Sequence, residues 1–342
     1  MTTPLYPLLF DPILKEKVWG GRRLAGLGKD LPPGSPVGES WELADLATTA
    51  PSGGGGGEAR SRVRNGPLAG VTLHDLVVHR GEEVLGPAGT APGDDFPLLV
   101  KYLDAAEHLS VQVHPDREYV AAHPRAHLKS ESWYVVEAEE GAVLYKGLRA
   151  GVSRDDVTRA VSAGRVPDLL AEVPAVAGEC HHLPSGTVHA LGAGVLVAEI
   201  QTPSDTTFRI YDWAEEYGRS GRPLHVTEAL ESMDFGAPPP ATALESGVSA
   251  AMLVATGHFW VAALQPGEEA FAESPAPASW RVVMVTAGAV TVEAEAGSFP
   301  VLQLRAGDTA LVPAVIAREI RLGGDRGAVA LLVGSGALPD LG

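Results

Sequence analysis

The chain has 342 residues, 45% of them hydrophobic and 20% charged, with a formal net charge of −17. That length suits one large domain or two of ordinary size, and the apolar content excludes a globally disordered chain. The acidic balance argues against a nucleic-acid partner, which needs a basic face, and against docking on an anionic membrane. It still admits an anionic small substrate, because a few local lysines and arginines reverse the field inside a cleft.

Glycine (40) and proline (27) are abundant and favour turns and short strands. The single cysteine, Cys180, permits no intrachain disulfide and fits a reducing compartment. Residues 1–7 carry no basic segment followed by an apolar one, and no apolar run reaches the roughly 20 residues of a spanning helix. The expectation is a soluble, cytoplasmic protein, monomer or homodimer.

In chain order, Gly38-Glu39-Ser40-Trp41-Glu42-Leu43 alternates as a strand. Gly53 to Gly57 read as a flexible surface loop, and no Gly-Lys-Ser/Thr follows to make it a phosphate loop. Strands are expected over 96–103 and 109–114, then a hairpin of 131–137 and 142–146 about Glu139-Glu140-Gly141. Ser153 with Asp156 three residues on predicts a capping box, and Pro167 opens a second short helix, which together make a helical insertion at about 150–175. Strands resume at 195–200 and 206–213, followed by a helix near 226–233 and the linker Gly236-Ala-Pro-Pro-Pro-Ala. Beyond it the pattern is all-β. The domain expectation is a catalytic unit over 1–236, a linker over 237–248 and a C-terminal β unit over 249–342.

Two places share a pattern. Gly178, five residues, Pro184-Ser-Gly186-Thr-Val-His189 matches the second signature of the cupin barrel. Gly307, five residues, Pro313 repeats the turn chemistry without the histidine. The fold expected is mainly β: two cupin-like (jelly-roll) barrels, one with a metal and one without.

Alternation on a strand aims Gln112 and His114 at one point, with Val113 facing away. Glu131 opens the next strand and His189 ends the Pro-x-Gly-x-x-His turn. Two imidazoles, a carboxylate and an amide oxygen suit one divalent metal, zinc by chemistry, and leave a place for water or substrate. Lys129 lies two positions before Glu131 and shares its face; Ser110 shares a face with Gln112. His181 and His182 are adjacent, so one of them faces outward. His108, His123, His127, His225 and His258 carry no such context, and Cys180 reads as a small buried residue.

At these residues the sequence resembles the type I mannose-6-phosphate isomerases (phosphomannose isomerases) of the cupin superfamily, in their short bacterial form. The matching segments are Leu109-Ser-Val-Gln-Val-His-Pro-Asp116, Lys129-Ser-Glu-Ser-Trp-Tyr134, Pro184-Ser-Gly-Thr-Val-His-Ala-Leu191 and Ser204-Asp-Thr-Thr-Phe-Arg-Ile-Tyr-Asp-Trp213. Phe10-Asp-Pro, Lys17-Val-Trp-Gly-Gly21 and Gly38-Glu-Ser-Trp-Glu42 also fit. The resemblance implies a zinc site of Gln112, His114, Glu131 and His189. It implies a functional Arg209 and matches the family's aspartate at Asp205, the candidate acid/base beside Lys129 and Arg209 as catalytic residues. Lys129, Arg209 and Ser110 would bind a sugar phosphate. The activity implied is the interconversion of mannose 6-phosphate and fructose 6-phosphate through a cis-enediol, within mannose metabolism. A cupin isomerase acting on glucose 6-phosphate and a non-catalytic sugar-phosphate sensor are the competing readings.

Overall fold

The structure is a computed structural model describing residues 3–50, 56–87, 95–124, 126–267, 271–272, 279–294, 297–339 and 341. It is mainly β. A seven-stranded antiparallel sheet runs in the order Thr242–Ala243, Glu179–Leu183, Glu131–Ala138, Val195–Gln201, Leu99–Ala105, Ile13–Gly21, Val37–Leu43. Facing it is a five-stranded sheet in the order Leu170–Pro174, Val143–Leu148, His189–Leu191, Val111–Val113, Phe208–Tyr211. Trp19, Leu103, Trp133 and Val197 from the first pack on Leu144 and Leu191 from the second.

The strand Val195–Gln201 shows why so many strands here read as continuous apolar runs: all seven of its residues are buried. Val195 and Val197 point between the facing sheets, whereas Leu196, Ala198 and Ile200 point the other way, onto Phe259, Val261, Trp280 and Leu331 of the C-terminal segment. With both faces covered, no position is left for a polar residue unless it is paired. The C-terminal segment repeats the architecture. A six-stranded sheet faces a four-stranded one around Trp260, Val285, Val292 and Leu322. The first strand of the chain, Leu8–Leu9, joins that six-stranded sheet against Thr309–Val312. Tyr102 donates to the Val285 carbonyl at 3.1 Å, and Lys29 bridges Glu42 and the Gly307 carbonyl at 2.7 Å each.

The helix Arg154–Ser162 carries the expected capping box, and Val166–Leu169 is a short 3-10 turn begun by Pro167. Val157, Ala160 and Val166 lie on the outer face of the five-stranded sheet with the helix Val226–Ser232. A helix at Leu73–Leu85 lies outside the sequence expectations. Thr72 caps it by accepting from Asp75, and its last carbonyls are met from the C-terminal segment by Ala314 and Val315. Of the glycine loop, Gly53, Gly54 and Gly55 lie outside the described residues.

The repeated half-motif is a repeated piece of backbone. Gly178 and Gly307 have φ of +92° and +93°. Each donates to a strand carbonyl, Val135 and Val285 respectively, and each proline carbonyl accepts from three residues on, Thr187 and Ile316. The residue five places after Pro313 is Arg318, which is exposed, so this copy aims no ligand inward.

Candidate metal centre and cleft

Between the facing sheets, one atom each from His114, Glu131 and His189 lies within 4.8 Å of the others. All three side chains are buried, Glu131 completely. Glu131 Oε1 is 3.1 Å from His189 Nε2, and Oε2 is 3.4 Å from His114 Nε2. His114 Nδ1 donates to the Thr206 carbonyl at 3.0 Å, and His189 Nδ1 to the Thr187 carbonyl at 2.8 Å. A carbonyl only accepts, so each Nδ1 carries a proton and each Nε2 is the atom turned toward the carboxylate. Among the described residues neither Nε2 nor Glu131 Oε1 has a well-aligned hydrogen-bond partner, and Oε2 faces the Lys129 ammonium at 2.7 Å.

Burial, with the Lys129 charge, lowers the His114 pKa to about 3, so its ring is neutral. Burial would raise the Glu131 carboxyl, but the Lys129 ammonium 2.7 Å from Oε2, together with His114, holds it well below the usual range. Two imidazole nitrogens and an anionic carboxylate converging with partners still wanting fit a divalent cation, which would satisfy them at once.

Gln112 occupies the next place in the same row. It stands directly opposite His189 on one side and Arg209 on the other, across Val111–Val113. Val113 points into the helical core, as the alternation requires. The strand is shorter than expected because the flanking backbone bonds elsewhere: Leu109 N–H to the Leu191 carbonyl, and the His114 carbonyl to Gly186 N–H. Ser185 Oγ donates to the Lys129 carbonyl at 2.9 Å. The Pro184–Val188 turn therefore ties together the segments bearing His114, Lys129 and His189.

Beside this centre opens a cleft of about 610 Å³. Gln112, Ser110, Lys129, Asp205 and Arg209 all line it. Arg209 is buried and donates to the Pro223 carbonyl at 2.9 Å; burial, with Arg222 nearby, lowers its pKa to about 10. Asp205 accepts from Ala50 N–H through both oxygens, at 2.9 and 2.8 Å. Despite the net charge, Lys15, Lys17, Lys101, Lys129, Arg209 and Arg222 give the cleft six cations against four carboxylates.

Sequence reasoning passed over several of these groups. Lys101 is buried and pairs with Glu199 at 2.9 Å, and Glu199 accepts from Trp133 Nε1 at 2.9 Å. Trp41 lies under Lys15 and Lys101, 4.9 and 5.1 Å from its ring, and donates to Glu39 at 2.6 Å. Trp133, Glu199, Lys101 and Trp41 form one cross-strand row. The signal was Lys101 inside an apolar strand, where an unpaired charge has no place. His225, read as uninvolved, lines the cleft and accepts from Arg209 N–H at 3.3 Å. His182 faces outward toward Phe259, and His181 faces inward but away from the cleft. Cys180 is buried and unreactive, its thiol pushed up to about 12 by burial.

Residues 8–145 match the family model "Phosphomannose isomerase type I, catalytic domain". The chain is 34% identical over 316 residues to a mannose-6-phosphate isomerase of Streptococcus mutans, covering 91% of this chain and 93% of that one. It is similar to the crystal structure of the mannose 6-phosphate isomerase from Bacillus subtilis, with a TM-score of 0.79 and 30% identity over 96% of this chain and 99% of that one. A mannose 6-phosphate isomerase solved with zinc and yttrium bound shares the fold at a TM-score of 0.71 and 18% identity, over 96% of this chain and 100% of that one.

Proposed function

Because the chain belongs to the type I mannose-6-phosphate isomerase family, we propose that it is a metal-dependent aldose–ketose isomerase interconverting mannose 6-phosphate and fructose 6-phosphate through a cis-enediol. The observation that carries the reading is the orphaned donor set of His114, Glu131 and His189 beside a cation-rich cleft in an acidic protein.

We assign Gln112, His114, Glu131 and His189 to one zinc ion per chain, since a mixed nitrogen and oxygen set suits a borderline metal. When bound, the metal supplies a Lewis acid for the negative charge that develops on the sugar oxygens. The remaining work falls to this chain's own groups. Lys129 reaches both Glu131 and the cleft, so its ammonium is placed to hold a sugar or phosphate oxygen. Arg209 supplies a second, buried charge for the substrate, and Ser110 a hydroxyl on the same wall.

Asp205 is the assigned acid/base: it takes the proton from C2 and returns it at C1. The Ala50 N–H, shared between both of its oxygens, fixes the carboxylate at the cleft wall. Residues 1–236 form the catalytic unit, 237–248 the linker and 249–342 a supporting unit without metal. Among the described residues no helix is long and apolar enough to cross a membrane, and the proposed setting is the cytoplasm. Retention of the whole donor set with Lys129 favours an enzyme over a non-catalytic sensor.

The test is an assay of fructose 6-phosphate formation from mannose 6-phosphate, before and after chelation and after zinc add-back. Turnover that vanishes with the metal and returns with zinc is expected. No turnover in a zinc-loaded sample overturns the activity; turnover that survives complete metal removal overturns the mechanism.

A further inference from the structure

Behind the metal centre lies a second pocket of about 260 Å³, none of whose lining residues borders the cleft. Lys146 and Glu179 line it together with His181, under a cover of Pro238, Pro239 and Pro240. The cover is fixed. Lys146 Nζ donates to the Pro239 carbonyl at 2.6 Å, and Thr242–Ala243 pairs with Glu179–Leu183. Pro238 packs on Gly147, where φ is +81° and a Cβ would come within 2.8 Å of the proline ring.

Two buried polar groups here lack what burial ordinarily demands. Lys146 is 5% exposed, yet among the described residues its ammonium forms no ion pair, and Glu179 acts on it only from beyond contact. His181 is 2% exposed, and among the described residues neither ring nitrogen has a hydrogen-bond partner; the partly exposed Glu179 carboxylate stands 3.4 Å from Nε2 without bonding it. A buried cation without a counter-charge and an imidazole without partners are each costly, and each calls for a missing group.

We propose that this pocket is a second ligand site, taking a small oxyanion that keeps a hydroxyl of its own, with Lys146 as its counter-charge and His181 as its hydrogen-bond partner. The oxyanion supplies the charge that Lys146 lacks. Its hydroxyl addresses the acceptor nitrogen of a neutral His181 or the rim carboxylate of Glu179, which would repel a ligand with no donor. Lys146 stands opposite His189 and His181 opposite Trp133, and Trp133 lies edge-on to His189 at 5.3 Å. That layer of side chains separates the pocket from the catalytic cleft. The inference is therefore independent of the isomerase reading.

The probe is inorganic phosphate, titrated into the full-length zinc-loaded protein while the ring nitrogens of His181 are followed by NMR and assigned through their loss in His181→Asn. Phosphate also enters the cleft, but His181 reports only on the rear pocket. Saturable shifts are expected in the wild type, with the dissociation constant weakened about tenfold or more in Lys146→Met. Lys146→Gln, which retains the bond to Pro239, should weaken it comparably and serves if the methionine variant does not fold. Acetate, an anion without a hydroxyl, should bind about tenfold more weakly than phosphate or glycolate. Resonances that do not move with phosphate, or move alike in both lysine variants and the wild type, overturn the site and leave water as its occupant. Equal binding of acetate overturns the hydroxyl requirement.

Discussion

Glu131 is approached from two sides, by His189 at Oε1 and by Lys129 at Oε2, and the two partners should fail differently when removed. His189→Ala deletes a donor nitrogen. Bound metal after dialysis and kcat/KM should fall together, the latter by about 10²-fold or more, as elemental analysis and kinetics on one sample will show. If activity falls while metal stays stoichiometric, the ligand assignment is wrong. Lys129→Met leaves every donor in place, so metal is retained at neutral pH while kcat/KM drops by about 10²-fold. The lysine also holds the Glu131 carboxyl in its anionic form. Without it the carboxyl protonates at higher pH, so metal release on acidification should begin at higher pH than in the wild type. An unmoved release profile would refute that coupling. The donors were legible in sequence because each sits in a short motif with fixed spacing. Lys101 and Glu199 were not, because what pairs them is the register of two strands nearly a hundred residues apart, which no local pattern encodes.

The element that assembles the centre is a turn. Gly186 has φ of +87°, donates to the His114 carbonyl and accepts from Asp234 N–H, and a Cβ there would lie 2.8 Å from the Ser232 carbonyl oxygen. Gly186→Ala therefore combines left-handed strain with a backbone clash and should cost about 1–3 kcal/mol. It should also weaken metal retention, since His189 follows three residues on. Gly151 has φ of +84° but open space around it. Gly151→Ala should carry only the strain, about 1–2 kcal/mol, and leave the metal in place. Equal metal loss in both variants, measured beside their thermal melts, would contradict the role given to the turn. Elements were legible where one residue pair decides them, as Ser153 and Asp156 do for the helix Arg154–Ser162. Thr72 and Asp75 present the same pattern at the head of Leu73–Leu85. That helix escaped notice because, although its head carries a cap, its C-terminal end is completed by distant backbone at Ala314 and Val315 rather than by its own sequence.

At the scale of the whole molecule, the repeated glycine and proline spacing foretold two similar β units, and the shared backbone at Gly178 and Gly307 is its structural counterpart. It could not foretell that the first strand, Leu8–Leu9, pairs with the last unit, because a two-residue strand has no periodicity to read. The same dense burial sets how the protein answers acid. His108, His114, His181, His182, His225 and His258 all have pKa values lowered first by burial, to about 3 for His114 and about 4 for His181. In the unfolded chain these rings protonate near 6.5. Below that pH the unfolded state binds more protons than the folded one, so stability falls as pH drops from about 6.5 toward the folded values. Glu42 and Asp45, raised by burial, act in the opposite sense, but the large shifts belong to the buried rings of His114 and His181, with the partly buried His182 adding to them. The more exposed His108, His225 and His258 count for little. Chelator-treated protein should therefore melt about 5 °C or more lower at pH 5 than at pH 7. Zinc should widen the gap, because protonation of His114 or His189 competes with the metal for the same nitrogens. A melting temperature that stays flat or rises between pH 7 and pH 5 in the metal-free protein would mean that these histidines find protonated partners in the folded state, contrary to the neutral rings their burial dictates.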